Sequence, residues 1–381
     1  MVIPKKELKR VWAGLKRVVG KRSTLPVLNH VLVEEKDGKV TFAVTDLEQY
    51  LIGTVQSEST GNCRFLVPAD EIKELVKGKA VGAISFEPKF DNLLRIVLPV
   101  GGQDISREVG TCGIADWPFP AKAIPVSPAD IGALIYAYRE TAKFASTDTG
   151  RWALHGVFLD KENKVAVGTD GRCLLRMALS GVQLEQDVIM PLNKVLDSDL
   201  LKGDGEAGFS IEEGIDFQTL RIVNTDWDYR ARCIDAKYPN YCQVIPEFDT
   251  LEHAIHIAAA DLPLLREACS QFPDDDEHGV VLYADAKGVV LLHVASTVTH
   301  IKLPNSTATI TVPVVMESMN RQFLLCGLGV GFDTIHIRRR DGSGMRAIRF
   351  SGHGDDCYVM MPLRELDNEK VIQYMAQVGR D

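Results

Sequence analysis

The feature that most constrains this 381-residue chain is a long internal period. A proline-led segment that reads as the start of a helix occurs at Val67-Pro68-Ala69-Asp70-Glu71-Ile72, at Met190-Pro191-Leu192-Asn193-Lys194-Val195 and at Val312-Pro313-Val314-Val315-Met316, with prolines 123 and 122 residues apart. A second marker keeps the same step: Pro118, Pro239 and Pro362 are separated by 121 and 123 residues. A third is a strand that ends in a turn, Val40 to Leu47 and Val165 to Gly171, whose Thr-Asp pairs stand 124 apart. Val289 to Ser296 supplies the strand a third time but lacks the Asp. Such a period marks one supersecondary plan used three times, which fixes the architecture before any single element is assigned.

Each copy opens with an amphipathic helix, expected over Pro4–Gly20, Ser127–Ala145 and Ala258–Phe272. Leu8, Val11, Leu15 and Val18 recur at helical spacing in the first, and Ile131, Leu134, Ile135 and Tyr138 in the second. Ser127-Pro128, and Asp261 with Pro263, read as helix starts. Short apolar or alternating runs bounded by Gly, Asp and Asn follow, among them Leu94–Leu98, Phe209–Ile211, Leu220–Asn224, Thr309–Val312, Ile335–Arg339 and Ile348–Phe350. The repeat is therefore an α+β unit of about 122 residues whose strands, joined by turns too short for a crossover helix, pair antiparallel. Boundaries fall near 125 and 250, where 120–128 and 246–251 read as linkers. The expected division is 1–125, 126–250 and 251–364, with an extension at 365–381.

The net charge of -9 is the wrong sign for a nucleic-acid binder. Its distribution reverses that inference. From Met1 to Arg22 eight basic residues face one Glu, a local balance of +7. On a helical wheel Lys5, Lys9 and Lys16, with Lys6, Arg10 and Arg17 alongside, form one stripe; Leu8, Val11, Trp12, Leu15 and Val19 form the other. Arg139 and Lys143, then Arg266 alone, repeat the pattern more weakly. The stripe reads either as a solvated helix face or as a surface for a polyanion, and segregation of charge by sign favours the second. No apolar run approaches the roughly 20 residues of a membrane span, and Met1 leads into Lys5 and Lys6 without an apolar signal core, so a cytoplasmic protein is expected. The eight cysteines are scattered singly and read as reduced structural thiols.

Candidate chemistry is sparse. Gly327-Leu328-Gly329-Val330-Gly331 follows a helical run and leads into a strand, the wrong context for a nucleotide loop, and reads as a turn. His253 and His256 would face opposite sides of a strand, and Asp274–Glu277 reads as a solvated loop rather than a metal site. Asp341–Gly344 and Gly352–Asp356 read as hairpin connections. No catalytic constellation emerges, and neither a metal nor a cofactor is expected, which favours a binding scaffold over an enzyme.

Four segments in order, Arg22 to Asn29 with Val40 to Leu47, Arg151 to Val157 with Gly168 to Arg172, Tyr238 to Pro246, and Tyr358 to Arg364, resemble the bacterial DNA polymerase III beta subunit, the sliding clamp family, collinearly over residues 1–364. The resemblance implies the DNA clamp fold and a head-to-tail homodimer, a ring of six domains with helices lining the hole. It implies a processivity factor without its own active site that encircles double-stranded DNA independently of sequence, associated with the nucleoid. It further implies a pocket between the second and third domains that captures linear motifs of the replicative polymerase, the clamp loader and repair proteins. Carried over by position, the pocket comprises Leu154, Thr169, Gly171, Arg172, Leu174, Pro239, Val244, Met316, Val359, Met361, Pro362, Leu363 and Arg364. For DNA, Arg22 matches a family contact; the wheel adds Lys9, Arg10 and Lys16, and the second copy adds Arg139 and Lys143. Two alternatives stay open: a divergent paralogue whose own tail occupies the pocket, and a metal-dependent nucleic-acid hydrolase on a repeat scaffold using Asp274–Glu277.

Departures from the family pattern lie in the pocket rim and the tail. Arg172-Cys173 stands where the family usually has His-Arg, and Gln243 where Arg is common. The tail continues past Arg364 with Leu366, Val371, Ile372, Met375 and Val378 at helical spacing, which predicts a short helix near the pocket.

Overall fold

The computed structural model describes residues 1–20, 23–57, 61–79, 81–90, 92–120, 125–211, 218–273, 276–338, 347–352, 354–364 and 367–378. They gather into two compact units: Met1–Arg139 with Leu159–Lys164 and Leu179–Ala236, and Glu140–Phe158 with Val165–Ala178 and Lys237–Asp381. Six α-helices run along the chain: α1 Lys5–Leu15, α2 Ala69–Leu75, α3 Ile131–Ala142, α4 Leu262–Gln271, α5 Arg321–Val330 and α6 Asn368–Gln377.

The first unit is built on an eight-stranded antiparallel sheet in the order Cys63–Pro68, His30–Lys36, Lys39–Thr45, Gln49–Gln56, Trp227–Arg232, Gln218–Val223, Gly205–Ile211, Ser127–Ala129. Its tightest connection is Asp37-Gly38, at φ 51° and 73°, between the paired residues Lys36 and Lys39. Two consecutive positive φ values give a turn whose twist matches the flanking strands. A second sheet, Val2–Pro4, Ala83–Pro88, Leu93–Val100, Gln103–Gly110, completes the unit. α1 fully buries Leu8, Val11 and Leu15. The helix approaches the eight-stranded sheet closely because Gly14 and Gly53 leave room for the Trp227 ring.

The second unit holds a run of antiparallel strands, Val165–Thr169, Cys173–Ala178, Cys357–Met360, Ile348–Ser351, Thr334–Ile337, His253–His256, Thr307–Thr309. A four-stranded sheet follows the order Val298–Leu303, Gly288–Val294, Gly279–Asp285, Val314–Asn320. Their shared core joins Leu265 and Cys269 of α4 and Leu324 and Leu328 of α5 to Val280, Leu282, Ile335, Phe350 and Tyr358. On the other face of the four-stranded sheet Val281, Tyr283, Val290 and Leu292 pack with Val371 and Met375 of α6.

Several expected helix boundaries move. Ser127-Pro128 starts no helix; Ser127–Ala129 pairs with Gly205–Ala207 as a strand, and α3 begins at Ile131, where the Asp130 carboxylate accepts from the Ala133 N–H. α1 ends at Leu15, which leaves Lys16 and Arg17 in the following turn, and α4 starts at Leu262 after a 3-10 turn at Ala259–Asp261. Pro68 does lead into α2, but Pro191 leads only into turns and a 3-10 turn at Asp199–Leu201. Pro313 leads into the strand Val314–Asn320, and the helix follows at Arg321. Side chains alternating between the two faces of a sheet, Val315 with Met319 on one and Met316 on the other, override the proline signal there. Gly327–Val330 lies inside α5, and Gly331 alone, at φ 103°, ends it as a left-handed cap.

The third sequence marker corresponds to one turn made twice. Thr45 Oγ1 donates to the Gln49 carbonyl and accepts from Leu47 N–H, while Asp46 Oδ1 accepts from Glu48 and Gln49 N–H. Thr169 Oγ1 donates to the Cys173 carbonyl and accepts from Gly171 N–H, while Asp170 Oδ1 accepts from Arg172 and Cys173 N–H. Thr and Asp side chains caging the same backbone groups explain why this dipeptide recurs. At Ala295 the turn closes instead by a backbone bond from Ala295 N–H to Thr297 O.

Candidate functional site

In the first unit the helical phase of α1 puts the apolar stripe inward and Lys6 and Lys9 into solvent, and Lys16 and Arg17, in the turn that follows, are exposed as well. Lys5 Nζ donates to the Lys77 carbonyl at 2.7 Å and Lys9 Nζ reaches Gly78 O at 3.4 Å. Arg10 is held: it pairs with Glu7 at 2.8 Å and Asp226 at 3.1 Å and donates to Thr54 O. Arg139 is similarly engaged, by Asp199 at 2.9 Å and by the carbonyls of Leu196 and Ser198. Lys143 pairs with Glu140 at 2.6 Å in the second unit. Lys16 lines an open groove of about 1060 Å³ with Trp12, Asn29, Asp70 and Lys73. Of the predicted cations, Lys9 and Lys16 are exposed and in no ion pair among the described residues, whereas Arg10 and Arg139 are held by carboxylates and carbonyls. Arg22 lies outside the described residues.

In the second unit the expected pocket residues come from five places in the chain, and strand pairing with backbone hydrogen bonds joins three of them: 169–174, the strand that carries Met316, and 359–364. Leu174 and Val359 are partners across adjacent strands, and both are buried. Past the end of that ladder Met361 N–H donates to Arg172 O at 2.9 Å, and Leu363 N–H to Ser318 O at 2.9 Å, which fastens 361–364 between the Gly171 turn and the strand that carries Met316. Met361 is 36% exposed and Arg172 and Arg364 are exposed, so the wall is apolar with a cationic rim. Leu154 closes a 3-10 turn whose carbonyl accepts from Ser146 N–H. Tyr238, one residue before Pro239, stacks on Phe158 at 4.5 Å, and Phe158 also meets Tyr241 of the turn that ends at Val244. Met316 packs beside the α6 cluster rather than standing free.

The residue reading missed Arg151. Its guanidinium donates to Asp170 O at 2.6 Å and stands 3.1 Å from where a Cβ of Gly171 would be. Gly171 has φ +87°, so a side chain there would be strained as well as crowded. The signal was visible in the Arg-Trp pair at 151–152, but only the folded turn shows what the arginine holds.

The remaining candidates resolve simply. His253 is buried and His256 exposed, on opposite faces of their strand. Among the described residues no group of His, Cys, Asp and Glu could hold a metal; Asp274 and Asp275 lie outside them. All eight cysteines are free. Burial pushes the Cys233 thiol up to about 12 and that of Cys269 to about 11, the opposite of what a nucleophile needs. No helix among the described residues is long and apolar enough to cross a membrane.

Residues 1–95 match the family model described as DNA polymerase III beta subunit, N-terminal domain. The beta sliding clamp of Pseudomonas putida is 25% identical over 372 residues, covering 91% of this chain and 95% of the relative. That of Pseudomonas aeruginosa is 24% identical over 375 residues, with the same coverage. Among solved structures, the DNA polymerase III subunit beta from Pseudomonas aeruginosa superposes with TM-score 0.79 at 20% identity, covering 96% of this chain and all of that one. The Thermotoga maritima beta subunit gives 0.74 at 20% identity, covering 96% and 99%. The fold is that of these clamps.

Proposed function

We propose that this chain, which belongs to the DNA polymerase III beta subunit family, is a DNA sliding clamp: a processivity factor that encircles duplex DNA and tethers the replicative polymerase and the clamp loader. The observation that carries the reading is collinear likeness to beta sliding clamps over 91% of the chain, together with the shared fold. On this reading the chain comprises clamp domains 1–125, 126–250 and 251–364 plus an extension, and two copies close head to tail into a cytoplasmic ring. Closure pairs sheet edges that would otherwise template aggregation. The chemistry is binding alone. Lys9 and Lys16 meet phosphates through long, sequence-independent contacts, and the acidic remainder keeps static adhesion low, so the duplex can slide.

Linear motifs of partners lie in the slot formed by Leu154, Thr169, Gly171, Arg172, Leu174, Pro239, Val244, Met316, Val359 and 361–364. Extended peptides suit an apolar trough whose rim offers Arg172 and Arg364 to carboxylates and whose turn offers backbone groups. The test is loading onto nicked circular DNA with a cognate loader. Wild type remains bound after a salt wash until the circle is linearised. Lys9→Glu with Lys16→Glu shortens retention while light scattering still reports a particle of about twice 42.0 kDa. A monodisperse monomer at micromolar concentration, or release that ignores linearisation, overturns the reading.

A further inference from the structure

We infer that the first unit carries a second peptide site, a pocket for an extended segment in which a large aliphatic residue lies next to a lysine or arginine. A cavity of about 370 Å³ is lined by Leu25, Pro26, Val27, Leu28, Leu47, Cys112, Asp116 and Pro118, a size within the range that holds ligands. Its walls are the first copy of the elements that build the slot above. The 3-10 turn Pro26–Asn29 stands where Trp152–Leu154 does, the Thr45-Asp46-Leu47 turn is bonded as Thr169-Asp170-Gly171 is, and Trp117-Pro118 answers Tyr238-Pro239.

One difference points to a ligand. Where the second copy has Gly171, the first has Leu47, held at φ 79°. A branched side chain is strained in that region, and such strain is kept where something else depends on it. Leu47 is 56% exposed and Leu25 49%, so the strained conformation holds an apolar side chain in water rather than in the core. Behind the lining, Trp117 is buried in one cluster with Val27 and Leu28 and donates its indole N–H to Tyr50 OH at 2.7 Å.

Rim charge selects the occupant. Asp116 lines the cavity, is exposed and forms no ion pair among the described residues, while Asp46 on the Leu47 turn is engaged by Glu48 and Gln49, as its counterpart Asp170 is by Arg172 and Cys173. The slot in the second unit is rimmed instead by Arg172 and Arg364. Repeat-related pockets with opposite rims take different peptides, and this one takes an apolar residue flanked by a cation.

Differential alkylation of the full chain reads the two sites separately, because Cys112 lines this cavity while Cys242 is exposed beside Val244 in the other unit. The probes are the pentapeptides acetyl-Gly-Leu-Lys-Leu-Gly-amide and its Glu counterpart, with iodoacetamide at alkaline pH and mass spectrometry of both thiols. The Lys peptide at millimolar concentration slows alkylation of Cys112 at least fivefold and leaves Cys242 unchanged. Leu47→Gly, which restores the residue the second copy carries, abolishes the protection; Asp116→Lys transfers it to the Glu peptide. An unchanged Cys112 rate, equal protection by both peptides, or protection that survives in Leu47→Gly overturns the inference.

Discussion

Replacing Gly14 by Ala sets two principles against each other with opposite signs. In an exposed helix the change would stabilise by about 1 kcal/mol, since alanine is the best helix former and glycine among the worst. Here the added Cβ would lie 2.3 Å from Cη2 of Trp227 and 2.8 Å from Cζ2 and Cζ3. The ring cannot retreat toward the sheet, because Gly53 lies against it, the site of its own missing Cβ 2.8 Å from Cζ3. To restore ordinary contact α1 must rise by about 1 Å, which loosens Leu8, Val11 and Leu15 and displaces the lysines they position. Overpacking of this kind costs typically 1–3 kcal/mol, so after the helical gain the net change is a loss of up to about 2 kcal/mol, about 1 kcal/mol at the middle of that range.

Urea unfolding followed by tryptophan fluorescence measures it, since Trp12, Trp117 and Trp227 all belong to the first unit and only Trp152 to the second. The transition of the first unit falls by roughly 0.5 M. Trp227→Phe relieves the clash, so this substitution costs less in the Gly14→Ala background than in the wild type, a positive coupling in the double-mutant cycle. A midpoint that rises in Gly14→Ala would show that helix propensity dominates and that Trp227 does not set the height of α1.

Two further outcomes test the second unit. Asp261 is buried and accepts from Asn305 N–H, Asn305 Nδ2 and Ser306 Oγ; burial opposes its charge, yet these hydrogen bonds hold its carboxyl below the usual range. A folded pKa below the unfolded value contributes stability above the unfolded pKa, near 3.9, and loses it as pH falls through the folded one. Thermal stability of the wild type therefore drops more steeply below pH 4 than that of Asp261→Asn; parallel curves would refute the linkage. Val371 of α6 is fully buried against the four-stranded sheet, so Val371→Ala costs roughly 1–2.5 kcal/mol and speeds tryptic cleavage after Lys370 about fivefold or more, while Ile372→Ala, at an exposed position, leaves the rate unchanged. Cleavage rates that do not distinguish the two variants would mean that the cluster does not hold the tail.

The sequence settles what repeats and what charge segregation dictate. The Thr-Asp pairs at 45–46 and 169–170 are legible because a side-chain cage needs those residue types wherever it is built. The stripe of α1 is legible because a helix turns through the same angle at every residue, so Leu8, Val11 and Leu15 must share a face with no knowledge of what lies beneath. The extension reads the same way: helical spacing anticipates α6 and the burial of Val371 and Met375, while Ile372 remains exposed because the covered seam is narrower than the apolar count.

Tertiary structure decides whatever depends on partners distant in the chain. Pro313 looks like Pro68 locally, yet pairing of Gly279–Asp285 with Val314–Asn320 makes the segment after it a strand. Arg10 and Lys9 are equivalent on the wheel, and only the approach of Asp226 and Thr54 turns one into a packing residue while the other stays in solvent. The meeting of Met361 with Arg172, and of Leu363 with Ser318, is absent from any local pattern because it joins residues 189 and 45 positions apart. Side-chain types and periods are properties of short stretches and survive in the sequence. Which cations stay free and which apolar walls face one another are settled only when strands far apart in the chain pair.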